Sequence, residues 1–124
     1  MNRRKTSLAV LAACLILAVT SAFAAEMPKT VIHVITIKWK EGTTPEQIKK
    51  AIGGVETAAK MYPGIKRVWL RSIKVQGEGY KNAVVMEFES EQSLKDYAGS
   101  KAQKAFYEVY QPVREESTTH DITN

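Results

Sequence analysis

Val31-Ile32-His33-Val34-Ile35-Thr36-Ile37-Lys38-Trp39 is the stretch whose reading decides the fold. It is rich in β-branched residues and holds neither Gly nor Pro, the composition of a strand. Successive side chains on a strand point to opposite faces. Val31, His33, Ile35, Ile37 and Trp39 therefore share one face, and Ile32, Val34, Thr36 and Lys38 the other. A sheet in a small antiparallel domain ordinarily sets an apolar face against a polar one. Here both faces stay apolar until the strand's far end. Two covers are needed: helices over the first face, and a second copy of the chain over the other.

Upstream of this strand the sequence reads as an export address. Arg3, Arg4 and Lys5 form a positive start, Leu8 to Val19 an apolar run, and Ala22-Phe23-Ala24 a small-x-small cleavage site. The run is short for a bilayer span, so the expectation is cleavage after Ala24 and release to the periplasm or outside the cell. The competing reading takes Leu11-Ala12-Ala13-Cys14 as a lipobox with Cys14 lipid-anchored. Its difficulty is that the residues after Cys14 stay apolar to Val19. Removing 24 of the 124 residues leaves 100, the size of one domain. Residues 25–124 hold no cysteine, so no disulfide, thiolate nucleophile or thiolate metal site is available to them. Three of the 18 Lys and Arg lie in the leader, leaving 15 against 13 acids. Those cations are scattered among acids rather than clustered, which argues against nucleic acid as a partner.

Downstream, Thr44-Pro45-Glu46-Gln47 is a helix start, with Thr44 as N-cap, Pro45 at the first helical position and Gln47 closing a capping box. Ile48, Ala51, Ile52, Val55, Ala58, Ala59 and Tyr62 recur at helical spacing, and Pro63-Gly64 stops the helix. Gly53-Gly54 weakens it by about 1 kcal/mol per glycine, a cost consistent with close approach to the sheet. A second strand is expected from Ile65 to Val75, with Trp69, Arg71 and Ile73 on one face, and a third from Asn82 to Glu89. A short helix, Glu91 to Tyr97, and another, Lys101 to Gln111, precede a Thr-rich last strand, Glu116 to Ile122. The order β-α-β-β-α-β is a ferredoxin-like α+β plait, an antiparallel sheet with helices on one face. Its uncovered face would carry Ile32, Val34, Trp69, Ile73, Ala83 and Val85. Contiguous apolar patches of that kind are uncommon on monomers, so a two-fold homodimer through the sheet is expected. The opposing possibility is that Lys38, Arg71 and Glu87 keep the face wet.

With that order in hand the chain resembles the stress-responsive α/β-barrel (Dabb) family of dimeric barrels. The resemblance rests on His33 followed by Lys38-Trp39-Lys40, on Tyr62-Pro63-Gly64 and Gly79-Tyr80, on Glu87-Phe88-Glu89-Ser90 and Asp96-Tyr97, and on Ala105-Phe106 and His120-Asp121. It implies a homodimer and a pocket between sheet and helices, in which plant polyketide cyclases of this fold close aldol rings. The pocket is expected to draw on His33, Ile35, Asn82, Val84 and Met86 from strands, and on Ile52, Val55, Tyr97 and Gln103 from helices, and to take a small apolar or aromatic ligand. Catalysis, if present, would use His33 as acid or base and Tyr97 as donor to a carbonyl oxygen. Where the family often shows His-Pro-x-His, this chain reads Ser100-Lys101-Ala102-Gln103, so Gln103 stands in place of a basic histidine. An amide takes no proton at neutral pH. The first expectation is therefore a binding or stress-associated module, the second a cyclase-like or cofactor-free monooxygenase-like enzyme.

Other motifs read as structure. His33 is equally a core histidine. Two histidines with no acid spaced to join them do not make a metal site, and no metal or cofactor is expected. His120 and Asp121 are adjacent on a strand and face opposite ways, so they do not pair, and His120 is expected in solvent. Gly77-x-Gly79 leads into a strand, not a helix, and so cradles no phosphate. Phe106 is expected in the core and Tyr107 on the surface.

Overall fold

A computed structural model describes residues 24–124. The export-signal reading and its Cys14 alternative fall on residues 1–23, outside the described ones. Seven elements follow in order: β1 (Val31–Trp39), α1 (Pro45–Met61), β2 (Ile65–Trp69), β3 (Asn82–Phe88), α2 (Glu91–Tyr97), α3 (Lys101–Tyr110) and β4 (Arg114–Ile122). The four strands make one antiparallel sheet in the order β2-β3-β1-β4, a ferredoxin-like α+β plait. The capping box forms as expected: Gln47 N donates to Thr44 Oγ1 at 3.2 Å, and Thr44 N to Gln47 Oε1 at 2.9 Å. Among the described residues no helix is long and apolar enough to cross a membrane.

β1 is one of the two inner strands, and its helix-facing side is buried as its sequence requires. Val31, Ile35, Ile37 and Trp39 are buried under the helices with Val84, Met86 and Phe88 of β3. They meet Ala51, Val55 and Ala58 of α1 and Ala102, Phe106 and Tyr110 of α3. Trp39 Nε1 donates to Asn82 Oδ1 at 2.7 Å, which satisfies the indole inside this layer. The close approach at Gly54 is to α3 rather than to the sheet: a Cβ there would stand 2.6 Å from Val109 Cγ2. Gly53 has nothing within 4 Å of that position.

Several boundaries differ from expectation. β2 ends at Trp69, not Val75, because the ladder runs out: the Ala83 N–H of β3 is taken by Ser72 Oγ at 3.2 Å, and Leu70 turns toward the core. Ile73 lies in the following loop, 93 % exposed, so it is not part of the sheet face. β3 ends at Phe88, one residue early, and α3 at Tyr110, with Gln111 as its cap before Pro112. β4 starts at Arg114, two residues earlier than expected, and pairs with β1 through a bulge: Lys38 faces Glu116 while Trp39 faces Arg114. Glu115 is the extra residue, and it reaches Lys38 Nζ at 3.7 Å.

The uncovered face carries Ile32, Val34, Ala83 and Val85 in partial burial and Trp69 at 46 % exposure. Glu87 does not wet it. That carboxylate is only 2 % exposed, held by both Arg67 Nε and Nη2 and by Thr30 Oγ1 at 2.7 Å. The Arg67 bonds hold its pKa well below the usual range, at about 2, with the Thr30 bond helping and burial opposing. The β4 quarter is polar, with Thr118 bonded to Thr36 and His120 exposed opposite Val34.

Candidate functional site

A cavity of about 330 Å³ opens between the β1–β4 side of the sheet and the helices α2 and α3. His33, Ile35 and Met86 form its floor; Leu94, Tyr97, Gln103, Phe106, Tyr107 and Tyr110 wall it from the helices; Arg114, Ser117 and Thr119 line it from β4. The placement follows from strand alternation. In the antiparallel register Asp121 lies opposite His33, Thr119 opposite Ile35 and Ser117 opposite Ile37, so all point toward the helices.

Of the pocket residues expected from sequence, the structure brings together His33, Ile35, Met86, Tyr97 and Gln103. It leaves out Ile52, Val55, Asn82 and Val84. Val55 and Val84 are sealed in the core under α1, and Ile52 packs against that core. Asn82 is spent on the Trp39 indole. Tyr107, expected on the surface, is half-buried on the cavity wall. The β4 residues were missed because the register of β4 on β1 is a tertiary property; the period-2 phase of His33 and Asp121 was the available signal.

That register supplies an acid for the histidine. His33 Nδ1 and Asp121 Oδ1 stand 2.5 Å apart, with the imidazole 15 % and the carboxylate 47 % exposed. The expectation that no acid joins either histidine is thus overturned for His33; His120 faces the other way, as expected. A carboxylate on Nδ1 makes that nitrogen the N–H donor and leaves Nε2 with the lone pair. The His33 ring also packs edge-on against Phe88, with centroids 5.8 Å apart, which fixes its plane.

Gln103 acts as a brace. Its Oε1 accepts from Gly99 N at 2.7 Å, and its Nε2 donates to Tyr107 Oη at 3.2 Å. Gly99 N–H can only donate, so the amide orientation is settled by its partners. Tyr107 then accepts from Gln103 and keeps its own O–H to donate. The Tyr97 and Tyr110 hydroxyls are buried with no hydrogen-bond partner. Burial raises both pKa values, with Tyr107 adding to the rise at Tyr97. Both phenols therefore stay protonated at neutral pH and serve as donors. Among the described residues no group of three or more His, Cys, Asp or Glu is placed to hold a metal ion.

A family model described as the stress responsive A/B barrel domain matches residues 31–124. No curated protein sequence matches the chain. Solved structures do. A dimeric protein of unknown function and ferredoxin-like fold from Bacteroides fragilis superposes with a TM-score of 0.61 at 18 % identity, covering 80 % of this chain and 100 % of that one. At3g17210 from Arabidopsis thaliana gives 0.64 at 21 % identity, over 76 % and 94 %. Hydroxynitrile lyase from Passiflora edulis gives 0.65 at 18 % identity, over 77 % and 93 %. At these identities the likeness is one of fold.

Proposed function

This chain belongs to the stress responsive A/B barrel domain family, and on that premise we propose that it is a homodimer whose subunits each bind a small, largely apolar or aromatic molecule. The binding reading is carried by the aromatic-walled cavity of about 330 Å³ with its ordered His33–Asp121 pair at one end. Volumes of that order hold a small ligand. The pairing of subunits is supported by the apolar patch of Ile32, Val34, Ala83, Val85 and half-exposed Trp69, and by the dimeric description of the Bacteroides protein. The composition of residues 1–24 supports export, with the leader removed behind Ala24 or the chain anchored at Cys14.

Two measurements test this. Light scattering of the chain at micromolar concentration is expected to give twice the subunit mass; a lone subunit's mass removes the dimer. The His33 ring resonances are expected to shift on adding 2-naphthalenemethanol, and a spectrum unchanged at saturating probe removes the pocket.

A second reading, a proton-transfer enzyme that needs no cofactor, is favoured by the His33–Asp121 contact. His33 Nε2 would take a proton from carbon beside a carbonyl, Asp121 would stabilise the resulting imidazolium, and Tyr97 would donate to the oxygen as charge gathers on it. The lyase of the same fold shows that the architecture supports an enzyme. Deuterium exchange into the methyl group of acetophenone should run about 10²-fold slower in Asp121→Asn than in the wild type, at the low end of what a positioned acid or base supplies. Equal rates would leave binding alone.

A further inference from the structure

We propose that the molecule seated in this cavity is an aromatic carboxylate, with its anionic group held by Arg114 and Tyr110 at the end away from His33. This rests on the pocket reading above and names its ligand class. Among the described residues three buried polar atoms lack a hydrogen-bond partner: Tyr97 Oη, Tyr110 Oη and Arg114 Nε. All three residues line the one cavity. Orphaned donors are costly to bury and are rare unless something meets them. Each unmet group can donate, Arg114 Nε only so, and Tyr107 adds a fourth donor once Gln103 has donated to it. The cavity's polar demand is therefore for acceptors.

Charge narrows the class. Arg114 pairs with no carboxylate among the described residues; it makes a long bond from Nη1 to Ser117 Oγ at 3.4 Å and lies 5.5 Å from the centre of the Tyr110 ring. The Tyr110 hydroxyl sits near both Ser117 and Arg114 without a well-formed bond to either. The nearest acid along the same strand face, Asp121, is engaged by His33. A guanidinium with a free Nε–H near a phenol O–H offers a carboxylate two donors, the charged one making the stronger bond. The bulge is what aims it. A regular ladder would place Glu115 on the helix-facing side, whereas the extra residue puts Arg114 there, opposite Trp39. Asp121 lies four positions along β4 from Ser117, about 13 Å of strand. A bicyclic acid thus spans from the Arg114 end toward the imidazole, with its rings against Phe106 and Tyr97.

Calorimetry with 2-naphthoate and its uncharged counterpart 2-naphthalenemethanol tests the assignment. In the wild type the carboxylate is expected to bind about tenfold more tightly or better, the gain of one charge-assisted hydrogen bond. In Arg114→Gln that preference should vanish, the carboxylate losing about tenfold more affinity than the alcohol. Tyr110→Phe should cost the carboxylate several-fold more than it costs the alcohol. Equal affinities in the wild type, which needs no variant to fold, overturn the carboxylate; so does a preference that survives Arg114→Gln. If neither probe binds, the pocket itself is refuted along with its ligand class.

Discussion

Substituting Ala for Gly54, with Gly53→Ala as its control, probes the closest approach of α1 and α3. Both glycines sit inside α1, and Ala at either gains about 1 kcal/mol of helix propensity. At position 53 a Cβ meets nothing within 4 Å, so the whole gain is expected. At position 54 it would stand 2.6 Å from Val109 Cγ2, 3.0 Å from Phe106 Cδ2 and 3.4 Å from Phe106 Cα. The Val109 methyl is not the loose end of a long side chain, and valine on a helix has one strongly preferred rotamer. Phe106 is fully buried. Overpacking of this kind costs about 1–3 kcal/mol. Gly54→Ala should therefore be neutral or lose about 2 kcal/mol, which puts it about 1–3 kcal/mol below Gly53→Ala. For a domain of this size each kcal/mol moves the melting temperature by about 4–8 °C. Thermal and urea unfolding by circular dichroism, at one fixed protein concentration because a dimer's stability depends on it, measures the difference. Phe106 also walls the cavity, so Gly54→Ala should weaken binding of 2-naphthalenemethanol while Gly53→Ala does not. Equal stabilisation at both positions would refute the packing argument.

Two further outcomes are expected. Glu87 has its folded pKa lowered from 4.5 to about 2 by Arg67. Its contribution is therefore complete above about 4.5 and lost as pH falls toward 2; the full shift corresponds to about 3 kcal/mol, cut to about 1–2 because Arg67 is largely exposed. The urea midpoint of the wild type should fall across that window by more than that of Glu87→Gln; parallel pH profiles would refute the ion pair's role. Tyr97→Phe removes a buried hydroxyl without a partner, so the ligand-free protein should be as stable as the wild type or up to about 1 kcal/mol more stable. A loss of more than about 1 kcal/mol would mean that the hydroxyl is bonded within the fold.

The plait was legible because β1 is apolar on both sides, and that alone demands a central strand with two covers. The Thr44 cap and the Pro63-Gly64 stop are local chemistry, and each formed where it was expected. β2 was read too long because Leu70 and Ile73 continue an alternating pattern, while the event that ends the ladder is a serine side chain answering Ala83 across the sheet. At the site, His33 stood out as a polar residue on an apolar strand face, and Tyr97 and Gln103 through the resemblance to the family. Val55 and Val84 were placed in the pocket because core and pocket use the same residue types; what separates them is that the cavity opens on the α2 and α3 side of the sheet and not under α1. Asp121 and Arg114 were invisible as partners because strand register, not spacing along the chain, brings the first to His33 and the second to the cavity.

The irregularity at Glu115 has a consequence for how this domain can diversify. A strand has only two phases, and shifting from one to the other trades every inward side chain for its neighbour. Here the neighbours carry opposite charge, so whether residues 114–116 kink or run straight decides the sign at one mouth of the chamber: guanidinium in the first case, carboxylate in the second. Deleting Glu115 would keep the cation inside, whereas inserting a residue on the opposing stretch of β1 would straighten the pairing and admit the acid. A chamber that accepts anions is thus one insertion away from one that repels them, with no change to the helices or to the sheet order.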